Sequence, residues 1–230
     1  MNTTNKFSYT SALLTAIITT ITFIVAMFAI PISGANCPGS CVDYPYMNTF
    51  GQYPRDFLWM PLAILLILSY AGLMLSIHAY VPENKKILSQ AGLLLALMTA
   101  TILVTDYFIQ FSVIPMSLLY GETEGLAMLI QYNPHGIFLA LEELGYILMS
   151  LSFLFMALAM PHRNRLETTI RRIFFAGFGL SIISLIGITL IFGLARDDRL
   201  EVIILSIDWF VLIINGFLLG RLFKNQNSKA

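Results

Sequence analysis

Apolar residues in this chain run in long blocks separated by short polar clusters, with no strict alternation. Six blocks stand out, at about 11–31, 57–81, 87–113, 134–160, 170–195 and 200–223. Each is long enough, at about 1.5 Å rise per residue, to cross a hydrocarbon core of roughly 30 Å as a helix. In lipid every backbone donor and acceptor must be satisfied within the segment unless a barrel closes, and no barrel pattern is present. The predicted fold is therefore all-α: a polytopic integral membrane protein whose six transmembrane helices form one bundle and one domain over residues 1–230. The fourth block has the clearest start. Asn133 suits an N-cap and Pro134 a first helical residue, where a missing N–H costs nothing.

Composition agrees. Hydrophobic residues make up 57% of the chain and charged residues 11%, far below the roughly 25% charged of a soluble domain. The formal net charge is zero, so bulk charge argues against a nucleic-acid partner or electrostatic adhesion to acidic lipid. The lipid bilayer is the expected partner, and the size and span count suit a multi-pass protein of a prokaryotic plasma membrane.

Orientation follows the distribution of Lys and Arg. Lys6, Lys85, Lys86, Arg163, Arg165, Arg171, Arg172, Arg221, Lys224 and Lys229 fall on one side of an alternating six-span path, against Arg55, Arg196 and Arg199 on the other. Ten against three places both termini in the cytoplasm and the loop at about 32–56 outside. That loop holds the two cysteines, Cys37 and Cys41, for which an oxidising outer face favours a disulfide over free thiols. It also carries Tyr44, Tyr46, Tyr53, Phe57 and Trp59, the composition of an interfacial aromatic belt. The run Ser33-Gly34-Ala35 loosely resembles a signal cleavage site, but the first apolar block exceeds a signal core of about 7–15 residues, so an uncleaved anchor is expected.

Against this apolar background four acids are costly exceptions: Asp106, Glu142, Glu143 and Asp208. Intramembrane carboxylates mark functional sites by default; the competing reading is hydrogen-bonded glue between helices, which Ser, Thr or Asn supplies more cheaply. Helix rise places Glu142 roughly 12 Å, Asp208 roughly 13 Å and Asp106 roughly 13 Å below the outer face, so the three are expected in one layer. Helical spacing adds Thr99 and Gln110 to the Asp106 face, Tyr146, His135 and Ser150 to the Glu142 face, and Glu201 and Asn215 to the Asp208 face. Glu143 points about 100° from Glu142 and is the weakest member. No Lys or Arg is expected in the apolar interior to neutralise these acids, so the site suits protons or cations and is poor for anions.

Other chemistry is not signalled. The three histidines lie at different depths, so no metal centre is expected, and no cofactor motif or catalytic signature is present. Gly216 and Gly220 in the sixth block and Gly177, Gly179, Gly187 and Gly193 in the fifth are expected to permit close helix packing, with a homodimer through glycine-rich faces as their alternative use. Asp106, Glu142 and Asp208, shaped by Gln110, Tyr146, Trp209 and Asn215, form the expected proton- or ligand-binding set. Transport of protons, cations or a cationic small molecule is the leading expectation. A metal-independent intramembrane lipid-modifying enzyme and a ligand sensor or accessory subunit are the alternatives.

Overall fold

The structure is a computed structural model that describes residues 3–29, 33–35, 37–39 and 41–227. These form seven helices and no strands: α1 (Thr3–Ala26), α2 (Trp59–Tyr80), α3 (Lys86–Tyr120), the single turn α4 (Leu126–Leu129), α5 (Ile137–Ala159), α6 (Arg165–Phe192) and α7 (Arg199–Asn227), with short 3₁₀ turns between them. All but α4 are long and apolar enough to cross a membrane. This is an integral, multi-pass membrane protein by helix length and composition. The expected end of the first span at Pro31, and Lys229 in the charge count, lie outside the described residues.

The six long helices pack in a closed ring, α1–α2–α3–α5–α6–α7 and back to α1, and α5 also reaches across to α7. Helix α5 is the most enclosed member, and α6, which packs mainly on α5 and α7, is the most open. Small residues set the close approaches. A Cβ on Gly216 would stand 2.9 Å from the carbonyl oxygen of Ala12 and from the Ala16 Cβ, so α1 lies against the bare backbone of α7. Gly177 likewise accepts Val211. The Gly216–Gly220 face is thus used within the bundle, whereas Gly179 and Gly187 face open space.

Two ends of the bundle are defined by contacts. At one end, Tyr80, Arg163, Glu167 and Phe223 meet: Tyr80 donates to Glu167 at 2.5 Å, Arg163 forms an ion pair with Glu167 at 3.0 Å, and the Tyr80 and Phe223 rings stack edge to face. The α6 start is closed by Asn164, whose side chain accepts from the Glu167 N–H at 2.9 Å, while Glu167 accepts from the Arg163 N–H at 2.6 Å, a reciprocal cap. The Glu167 carboxylate raises the Arg163 guanidinium above its ordinary value. At the other end the Cys37–Cys41 disulfide forms, and the 27–58, 121–136 and 193–198 connections meet around Asp56, Tyr132 and Asp198.

Several boundaries differ from the sequence expectation. Helix α3 does not stop near Val113. It runs through Pro115 to Tyr120 and ends where Gly121 takes φ 73°, a left-handed conformation suited to a helix stop. Helix α5 starts at Ile137 with Gly136 as N-cap, so Asn133 and Pro134 do not begin it. Asn133 instead accepts from the His135 N–H at 2.9 Å and donates to the Ala127 carbonyl at 2.8 Å, holding a turn. The aromatic belt is also split: Tyr44 and Tyr53 are exposed, while Tyr46, Phe57 and Trp59 turn inward. Burial raises the Tyr46 phenol above its ordinary value, with Asp43 and Asp197 adding to the effect.

Candidate functional site

A cavity of about 380 Å³ opens at the disulfide-bearing end of the bundle, between the α1 C-terminus, the loop before α5, the start of α5 and the start of α7. Its walls are aromatic, from Phe23, Trp59, Tyr132, Phe138 and Trp209, and its charged lining is acidic: Asp56, Glu142, Asp198 and Glu201. Among the described residues no Lys or Arg lines it.

The four acids are not equivalent. Asp56 is neutralised, accepting from Arg55 at 2.5 Å and from the Tyr132 hydroxyl at 3.2 Å; burial and the Asp56 charge together push the Tyr132 phenol well above its ordinary value. Asp198 accepts from the Ala35 N–H at 3.1 Å, and its carboxylate fits against Gly34, where a Cβ would approach to 3.1 Å. Glu142, 2% exposed, and Glu201, 8% exposed, form no ion pair among the described residues. They lie close enough to each other, and Asp106 close enough to Glu142, for negative charge on one to repel charge on the next. Glu201 sits in the first turn of α7, where the helix dipole favours negative charge.

Behind Glu142 runs a directed hydrogen-bond chain. Tyr107 donates to the Glu142 Oε1 at 2.8 Å, and because that spends its only hydrogen, Tyr146 must donate to Tyr107 across their 2.7 Å contact. The Trp209 indole N–H donates in turn to Tyr146 at 3.1 Å. Every hydrogen in the chain points toward Glu142, so Oε1 is held as an acceptor and Oε2 is left for a proton or a ligand. Trp59 stacks edge to face on Tyr107, and Phe23 on Trp209, fixing both rings.

The residues selected from sequence divide accordingly. Glu142 and Trp209 line the cavity, and Tyr146 and Asp106 stand directly behind it. Gln110 does not face the acids: its side chain donates to the Leu129 carbonyl and accepts from the Gln131 N–H at 3.0 Å, clamping to α3 the loop that supplies Gln131 and Tyr132. Glu143 pairs with Arg196, which reaches in from the α6–α7 connection, so the expectation that no Arg would neutralise the acids fails for this one. Asn215 donates to the Ile170 carbonyl at 3.3 Å and ties α7 to α6. Asp208 is fully buried, does not line the cavity, and accepts from Ser150 at 2.7 Å.

The single layer of Asp106, Glu142 and Asp208 therefore does not form. Asp106 and Glu142 do come to one level, since Tyr107 of α3 bonds Glu142; they lie at different distances from their helix ends, about 21 Å and about 8 Å, because α3 overshoots its neighbours. Asp208, bonded to Ser150, sits about 12 Å further along α5 than Glu142. What sequence reasoning missed was the weight of Glu201, which was placed on the Asp208 face but left out of the binding set. Its signal was the seven-residue repeat with Asp208, read at the wrong member. Among the described residues no three His, Cys, Asp or Glu side chains converge in a metal-binding group. Compared with known proteins, the chain matches no family, no curated protein and no solved structure.

Proposed function

We propose that this protein is a membrane transporter that binds an amphipathic organic cation in the Glu142–Glu201 cavity and exchanges it for protons. One observation carries the reading: two buried carboxylates without basic partners among the described residues line one cavity that five aromatic rings and several aliphatic side chains also wall. Two such acids cannot both carry charge cheaply in an enclosed site. A cation or a proton relieves the repulsion, and each excludes the other, which is the thermodynamic basis of exchange. The faces of Trp59, Trp209 and Tyr132 suit an alkylammonium or phosphonium group. On the α1–α7 side the lining includes Met27 and Val202, both exposed on the helix surface, so a ligand partitioned in lipid has a lateral approach. The excess of Lys and Arg at the opposite end supports placing the cavity on the outer side of a plasma membrane with both termini cytoplasmic.

The direct test is transport in proteoliposomes loaded with a pH-sensitive dye. An imposed proton gradient should drive movement of tetraphenylphosphonium or a benzyl-ammonium, with proton flux in the opposite direction, and E142Q and E201Q should each abolish it. Wild-type liposomes that behave as protein-free ones across a panel of such cations would sink the proposal.

A further inference from the structure

A second polar site lies deeper in the bundle, and it is separate from the cavity. Asp208 is 0% exposed on α7, at the meeting of α5, α6 and α7. Its Oδ1 accepts from the Ser150 hydroxyl of α5 at 2.7 Å. Its Oδ2 has no partner. The Ser181 hydroxyl of α6, 2% exposed, stands beside the same carboxyl and also lacks a partner. Two unpartnered oxygens side by side in an apolar interior are expensive; the Ser181 hydroxyl can donate to a carboxylate or accept from a protonated acid, and only the protonated acid leaves no bare charge in the interior.

We propose that Asp208 is a second proton-binding site of this protein: its Oδ2 carries a proton donated in a hydrogen bond to Ser181, so that one neutral carboxyl links α5, α7 and α6. The groups that face it agree. Helix α5 presents Ser150 and α6 presents Ser181, while α2 presents the Tyr70 phenol, itself bonded to Ser152. None of the ion pairs among the described residues includes Asp208. A carboxylate there would have two hydroxyl donors, Ser150 and Ser181, but no counter-charge among the described residues, in a setting where an unpaired charge costs several kcal/mol. The carboxyl and its two serines supply four side-chain oxygens, short of the roughly six that a hard cation takes in place of its hydration shell, which leaves the proton as the fitting ligand. Because α6 packs mainly on α5 and α7, the shared proton adds a polar tie in its middle to those at its start, the Tyr80–Glu167, Arg171–Ala157 and Asn215–Ile170 bonds. The assignment rests on Asp208 and its neighbours and is independent of cation binding in the cavity.

Infrared difference spectroscopy of the protein in lipid nanodiscs at neutral pH tests it. The wild type should show a protonated carboxylic C=O stretch that shifts in D₂O, is lost in D208N and persists in E142Q. S150A, which removes the hydrogen bond to the acid's carbonyl oxygen, should move that band to higher frequency. Should D208N fail to fold, S150A and S181A alone decide the matter, since each alters one bond of the acid. Spectra in which neither serine variant shifts an acid band, or in which Asp208 gives carboxylate bands that respond to Na⁺, overturn the proposal.

Discussion

Replacement of Glu142 by Gln keeps the size and the Tyr107 contact and removes only the charge. Glu142 is 2% exposed and meets the cavity with an oxygen that no described group occupies. Removing one partner of a desolvated, hydrogen-bonded charge pair costs about 2–5 kcal/mol, so tetraphenylphosphonium affinity should fall at least about 30-fold. E201Q should cost a similar amount, and the double variant less than the sum, because the two carboxylates repel each other and each is relieved when the other is neutralised. The pH dependence has a fixed sign. The empty site holds a proton that the bound site has released, so affinity strengthens as pH rises, by about tenfold per unit for each proton displaced. The window is bounded below by the pH at which the bound site also protonates, and above by the pH at which the empty site is already ionised. Titration calorimetry in buffers of different ionisation enthalpy measures both the affinity and the proton count. Wild-type affinity that does not change between pH 6 and 8, or E142Q and E201Q affinities within about threefold of wild type, would refute this reasoning.

R196Q should destabilise the fold by about 3 kcal/mol, since it strands the buried Glu143, and E143Q added to it should restore most of the loss, both read by thermal unfolding in detergent; cation affinity should stay within about threefold throughout. W209L removes an aromatic wall and the donor to Tyr146, and should weaken cation binding by roughly 2- to 30-fold, with W209F recovering part of it. G216L must push α1 off α7, because the neighbouring atoms at 2.9 Å include backbone, and should lower stability by about 1–3 kcal/mol or more. G179L and G187L, which meet nothing within 4 Å, should leave stability unchanged, and loss of a dimer by light scattering in either would show that the α6 face pairs with a second copy. A reporter fused after Ala230 should be active only in the cytoplasm, and periplasmic activity would reverse the orientation.

The membrane class and the number of long helices were legible because they depend on block length, a property of contiguous sequence. The site was legible only in part, because lateral partners are not. Asp106, Gln110 and Thr99 do share one buried face of α3, as their spacing requires. What each side chain meets across that face depends on how far neighbouring helices are shifted along their axes. That shift was set by two prolines whose local roles were ambiguous. Pro115 lies inside α3, not at its end, and Pro134 lies in a turn before α5, not in its first position. The α3 end lies seven residues beyond the expected one and the α5 start three residues later, so depths counted from those ends do not compare across helices. Arg196 was misassigned for a related reason: a residue placed in a connection by sequence can still reach inward to a carboxylate one turn below.

The basic residues at the cavity end decide what the site excludes. Arg55 is spent on Asp56 at 2.5 Å, Arg196 on Glu143, and Arg199 on Asp197 at 3.3 Å, with its guanidinium over the Phe192 ring. All three positive charges near the mouth are therefore already compensated, Arg55 by the lining Asp56 and the other two outside the lining, and an entering anion would meet Glu142 and Glu201 with nothing to offset them. A cation meets the reverse: two acids without basic partners, a hydrogen-bond chain oriented to support charge on Glu142, and an α7 N-terminus that supports charge on Glu201. Releasing one Arg should then change the sign preference of the cavity more than removing one acid does. In E143Q the Arg196 guanidinium is freed beside the α7 start, and if it swings toward Glu201 it competes with the ligand. Tetraphenylphosphonium affinity in E143Q at low ionic strength measures this directly. A fall of more than about threefold that is reversed by adding R196Q would show the guanidinium occupying the site, and an unchanged affinity would show that the α6–α7 connection holds Arg196 away from it.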